Sequence, residues 1–144
     1  MYKRILVPTD GSEITGKAIV TAVGLAKLTG ASVEAIAVKE PFPYSAISEM
    51  QPTPPQEFYD AQERIATQRV QAVVKSCQDA GVACSAVTVE ALHPWEAILD
   101  QAKRSGCDLI VMASHGRRGM SAVLLGSETH RVLTHSTLPV MVVR

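Results

Sequence analysis

The chain has no surplus of either charge: 14 lysines and arginines face 14 aspartates and glutamates, a formal net charge of zero. No global field draws it to nucleic acid or to an anionic membrane surface, so any anion site has to be local. Cysteine is scarce, with Cys77, Cys84 and Cys107 in no metal-ligand spacing. An odd number of cysteines, each in or beside an apolar pattern, reads as small core residues in a reducing cytoplasm. From Met1 the chain runs directly into a strand pattern, without the regions of a signal peptide. No apolar stretch approaches the roughly 20 residues that span a bilayer. A soluble cytoplasmic protein is expected, and its 144 residues suit one domain, 1–144, with one core.

Several catalytic signatures are missing as well. No Gly-x-x-x-x-Gly-Lys-Ser/Thr occurs, which excludes a P-loop nucleotidase and its phosphate-reaching lysine. No Gly-x-Gly-x-x-Gly follows the first strand pattern, which disfavours dinucleotide binding of the Rossmann type, and there is no Gly-x-Ser-x-Gly nucleophile elbow. His93, His115, His130 and His135 form no metal-ligand motif. The sequence therefore offers no catalytic set and no metal ligands.

What is present is a regular alternation. Five runs rich in aliphatic and β-branched residues, 4–7, 33–38, 84–89, 109–113 and 138–143, read as strands. Helical periodicity fills the gaps: Ile14, Ala18, Ala22, Leu25 and Leu28, with Ser12 as N-cap and Gly30 as stop; Phe58, Ala61 and Ile65 continuing through Val70, Val73, Val74 and Cys77; Trp95, Ile98, Leu99 and Ala102; and Val132 with Leu133, from near Ser127 to Ser136. Strand alternating with helix gives βαβ units, hence an α/β fold: a doubly wound, five-stranded parallel sheet of order 3-2-1-4-5 with helices on both faces. Segment 40–56 carries Pro41, Pro43, Pro52, Pro54 and Pro55 and suits either a lid over a ligand or a plain surface insertion.

In such sheets ligands bind at the carboxyl ends of the strands, where the chain reverses direction. That rule brings together Pro8, Thr9 and Asp10 after the first strand and Ala113 to Gly116 after the fourth, with Val38 as the neighbouring wall. The run from Ala113 to Ser127 reads as a phosphate cradle. Gly116, Gly119 and Gly126 allow close backbone approach, Arg117 and Arg118 offer charge, and Ser127 opens a helix whose first amides can face an anion. Asp10 suits a ribose hydroxyl, or else caps the first helix or its turn. Gly126 and Ser127 can donate consecutive amides, or Ser127 can serve as an ordinary N-cap. His115 reads as a hydrogen-bonding wall residue, with acid, base or phosphate-donor roles as the alternative.

These residues resemble the universal stress protein family along the whole chain. The opening Ile5-Leu-Val-Pro-Thr-Asp10-Gly-Ser12, the stretch Asp108-Leu-Ile-Val-Met-Ala-Ser-His-Gly-Arg-Arg-Gly119, and Leu125-Gly-Ser127 with the closing Leu138-Pro-Val-Met-Val-Val143 carry the likeness. The nucleotide-binding branch of that family has Gly, two residues, Gly, nine residues, Gly and then Ser or Thr. Gly116, residues 117–125, Gly126 and Ser127 fit it, and Ala113 replaces the first glycine, adding a methyl group at the site.

The resemblance implies a Rossmann-like fold of the adenine nucleotide alpha-hydrolase type. It also implies ATP, AMP or another adenine nucleotide as ligand, with Asp10 near ribose, Val38 and Met112 along adenine, and Gly116, Gly126, Ser127 and Glu128 around the phosphates. Mg²⁺ would be held through phosphate oxygens and water. A homodimer through the apolar edge strand 138–143 is implied too. Three functions stay open: a stress-response regulator whose conformation or partner depends on nucleotide, a slow ATPase or self-phosphorylating protein, and a protein-interaction module that uses no nucleotide.

Overall fold

The fold follows from the parity of apolar residues along each strand. The structure, a computed structural model, describes residues 1–43, 55–116 and 125–144. Its strands are β1 (Arg4–Pro8), β2 (Ser32–Lys39), β3 (Cys84–Glu90), β4 (Leu109–Ala113) and β5 (Val140–Val143), and its helices are α1 (Glu13–Thr29), α2 (Gln56–Ala80), α3 (Pro94–Arg104) and α4 (Ser127–His135). All pairings are parallel, in the order β3-β2-β1-β4-β5. This is the sheet expected from the sequence.

Because successive side chains point to opposite faces, each central strand supplies two cores. Ile5, Val7, Val33, Ala35, Leu109 and Val111 pack with α1 and α2 on one face. Leu6, Ile36, Ile110 and Met112 pack with Ile98 and Ala102 of α3 and Val132 of α4 on the other. Every residue of β4 is buried, which explains why it reads as an unbroken apolar run.

Some expectations shift in detail. Leu28 is 87% exposed, because the buried stripe of α1 is Thr15, Ala18, Ile19, Ala22, Val23 and Ala26. Two residues beyond Ala26, Leu28 lies about 200° round the axis at 3.6 residues per turn. Ile65 and Leu133 are likewise exposed. The last strand starts at Val140 rather than at 138, since the Ser136 hydroxyl accepts from the Leu138 amide and donates to its carbonyl, holding it in a turn. Cys77 and Cys107 are buried thiols as expected, whereas Cys84, on the edge strand β3, is only half-buried. Burial nevertheless pushes its thiol up to about 12, and that of Cys107 to about 11, so neither is a ready nucleophile.

Candidate functional site

The β1–α1 turn is built by short polar side chains. Asp10 Oδ1 accepts from the Ser12 amide at 2.9 Å and from the Thr15 hydroxyl at 2.8 Å. The Ser12 hydroxyl pairs with Thr15 Oγ1 at 2.8 Å, so Ser12 sits at the N-cap position without capping an amide by its own side chain. Gly11, at φ 75°, makes the reversal that a β-carbon would strain, and its amide donates to Thr9 Oγ1. Thr9 is tied to β2 by its amide, which donates to Ile36 O at 2.9 Å. Asp10 thus has a turn-holding role through one carboxylate oxygen.

Its other oxygen lies against the far segment. A β-carbon on Gly116 would be 2.5 Å from Asp10 Oδ2, closer than any real side chain could come. Asp10 and Gly116, separated by more than a hundred positions in sequence, therefore meet across β1 and β4. Their strands are direct neighbours, Ile5 opposite Leu109 and Leu6 opposite Ile110.

The entry to α4 closes on the same place. Gly126 is the N-cap, and a β-carbon there would stand 2.9 Å from His115 Cα. Its amide donates to Ser114 O at 2.7 Å, and the Thr129 hydroxyl donates to Ala113 O at 2.8 Å. The expected pair of consecutive anion-facing amides, Gly126 and Ser127, is thereby corrected: the Gly126 N–H is engaged inside the protein. Ser127 is the first helical residue rather than the cap, and it is exposed. The amides of Ser127, Glu128 and Thr129 precede the first intrahelical donor, since it is the His130 N–H that the Gly126 carbonyl takes.

The remaining candidates fall into place around this crevice. Val38, half-buried, and Met112, 6% exposed, belong to the same α3-side cluster at the carboxyl ends of β2 and β4. Ala113 is buried on the opposite, α1-side face, and Pro8 closes β1. His115 is half-buried with Nδ1 3.2 Å from the Ser114 hydroxyl. The Glu128 carboxylate points elsewhere than the crevice: Oε2 accepts from the Trp95 amide of α3 at 2.8 Å. Arg117, Arg118 and Gly119, and residues 44–54 of the proline-rich segment, lie outside the described residues. The described start of that segment packs on α2, with Phe42 edge-on to Phe58 at 5.1 Å.

A cavity of about 340 Å³ lies beside the crevice rather than in it. It opens between α1 and α2 and reaches the β1–α1 turn at Thr9, Gly11 and Ser12, with Gln68 and Arg69 on its α2 wall. Thr9 is the one candidate it shares. Among the described residues no three His, Cys, Asp or Glu side chains form a metal cage, and no helix is long and apolar enough to cross a membrane.

The universal stress protein family model matches residues 1–144. The chain belongs to that family. Universal stress protein MJ0531 of Methanocaldococcus jannaschii is 30% identical over 148 positions, covering 100% of this chain and 83% of its own. Universal stress protein YxiE of Bacillus subtilis is 30% identical over 149 positions, covering both chains fully. Among universal stress proteins of known structure, MJ0577 of M. jannaschii superposes with a TM-score of 0.84 at 30% identity, over 99% of this chain and 96% of the other. More distant structures share the fold: a universal stress protein in complex with cAMP (TM-score 0.73, 21% identity, 99% of this chain and 97% of the other) and an Arabidopsis thaliana family member with AMP bound (TM-score 0.70, 18% identity, 98% and 90%).

Proposed function

We propose that this universal stress protein binds an adenine nucleotide in the crevice between the β1–α1 turn and the β4–α4 connection, and acts as a regulator of the stress response through nucleotide-dependent conformation or partner binding. The observation that carries the reading is the mutual approach of Asp10 and Gly116 with Gly126 packed on His115, which brings the β1–α1 turn and the start of α4 to one crevice. The first-turn amides of α4 and its positive helix end suit phosphate. Asp10 suits a ribose hydroxyl, and Val38 and Met112 supply an apolar wall on one face. Family members holding AMP and cAMP support an adenine ligand. ATP would bring Mg²⁺ through its own phosphate oxygens and water. The reading includes a cytoplasmic homodimer paired through β5.

Thermal melts of the purified protein with AMP, cAMP or ATP and Mg²⁺ test this directly. Binding at about a hundred times Kd adds roughly 2.7 kcal/mol and should raise Tm by a few degrees. A melting curve that none of the three nucleotides shifts at millimolar concentration would sink the reading.

A further inference from the structure

The short helix α4, which carries the phosphate end of the crevice, is weakly anchored by its own packing. Of its nine residues, Thr129 and Val132 are its buried ones. Its position therefore depends on polar ties, and one of them reaches outside the crevice. Helix α3 starts with Pro94, which has no N–H, after His93, which provides no side-chain cap. The first amide of α3 is thus that of Trp95, and it donates to Glu128 Oε2 of α4 at 2.8 Å. At the other end of α4, the His135 ring stacks on the Trp95 indole, centroids 4.4 Å apart and planes at 28°. Both ends of α4 bear on one residue of α3.

We propose that Glu128 is a positioning residue of the phosphate site, acting through Trp95, a role that rests on the nucleotide reading above. A first-turn carboxylate ordinarily competes with an anion for its own helix N-terminus. Glu128 is instead bonded to the positive end of a second helix. This fixes the start of α4 against α3 and leaves the amides of Ser127, Glu128 and Thr129 to the ligand. Because ligand and tether act on the same helical turn, nucleotide binding and the α3–α4 contact are linked reciprocally.

Two substitutions separate tether from charge. Glu128→Asp keeps the charge but shortens the side chain by one methylene, and Glu128→Gln keeps the reach and an acceptor oxygen. AMP and ATP affinities are measured by calorimetry, alongside emission from Trp95, the single tryptophan of the chain. Positioning predicts that Glu128→Asp weakens both nucleotides about tenfold, the scale of one charge-assisted hydrogen bond, and shifts the emission without ligand, while Glu128→Gln restores most of the affinity. Wild-type affinity in Glu128→Asp, or equal loss in both variants, overturns the role of Glu128 and leaves the nucleotide reading intact. Wild-type protein that binds no nucleotide overturns both. Amide hydrogen exchange in the wild type needs no variant to fold: the Trp95 amide is expected to gain protection on AMP binding, and unchanged protection counts against the tether.

Discussion

At Gly126 the neighbour of the missing β-carbon is backbone, 2.9 Å away at His115 Cα; at Gly116 it is a side chain, Asp10 Oδ2 at 2.5 Å. The difference sets two outcomes. Gly126→Ala has to displace the β4–α4 connection and is expected to cost about 1–3 kcal/mol of stability, as overpacking does, together with nucleotide binding. Gly116→Ala pushes on a carboxylate whose other oxygen is held by Ser12 and Thr15, so Asp10 turns away from the crevice. Affinity should fall with much less change in Tm, and calorimetry beside a melt separates the two. Nucleotide affinity in Gly116→Ala equal to wild type would remove Asp10 from the site. The glycines were legible in the sequence because three fall within eleven residues after an apolar run. The capture of the Gly126 amide by Ser114 and of the Glu128 carboxylate by Trp95 was not, since each needs a partner fixed only by the packing of α4.

Among the elements, strand and helix positions were readable because periods of 2.0 and 3.6 residues differ and Gly30 stops its helix at φ 74°; Gly81, which the sequence reading did not single out, stops α2 in the same way at φ 72°. Glu34 was not: it sits inside an apolar run yet is 6% exposed. Its partners come from three other elements. Arg4 of β1 bonds Oε1 at 3.0 Å, Ser85 of β3 donates to the same oxygen, and Gln101 of α3 bonds Oε2 at 3.1 Å. Burial alone would raise the Glu34 carboxyl, but hydrogen bonds from Ser105, Gln101 and Arg4 outweigh it and hold the group below the usual glutamate value of 4.5. The unfolded chain therefore takes up the proton first. The stabilisation is fully present above about 4.5 and is lost as pH falls through the lower folded value. Glu34→Gln should destabilise by about 1–3 kcal/mol at neutral pH and flatten the acid limb of stability against pH. Urea midpoints that decline alike with acid in both proteins would show that this cluster does not govern the limb.

For the molecule as a whole, the question is what covers the free side of β5. The carbonyls of Pro139, just before β5, and of Val143 accept from Ile110 of β4 and from Ser114 just after it, so the odd-numbered residues turn their backbone inward. The even-numbered Val140 and Val142 then direct theirs to the open edge, since parallel pairing alternates. Among the described residues no strand pairs on that side, and an edge with outward donors is a template for a second strand; a twofold pairing of two β5 edges would satisfy it without leaving a new one. Val142→Pro removes an outward N–H while the β4 ladder keeps its bonds, because proline is tolerated where the amide faces away from the sheet. Light scattering after size exclusion is expected to give a dimer for the wild type and a monomer for Val142→Pro, with the cooperative melt retained. A Val142→Pro protein that stays dimeric would move the interface away from β5, and a wild type that is monomeric at high concentration would abolish it.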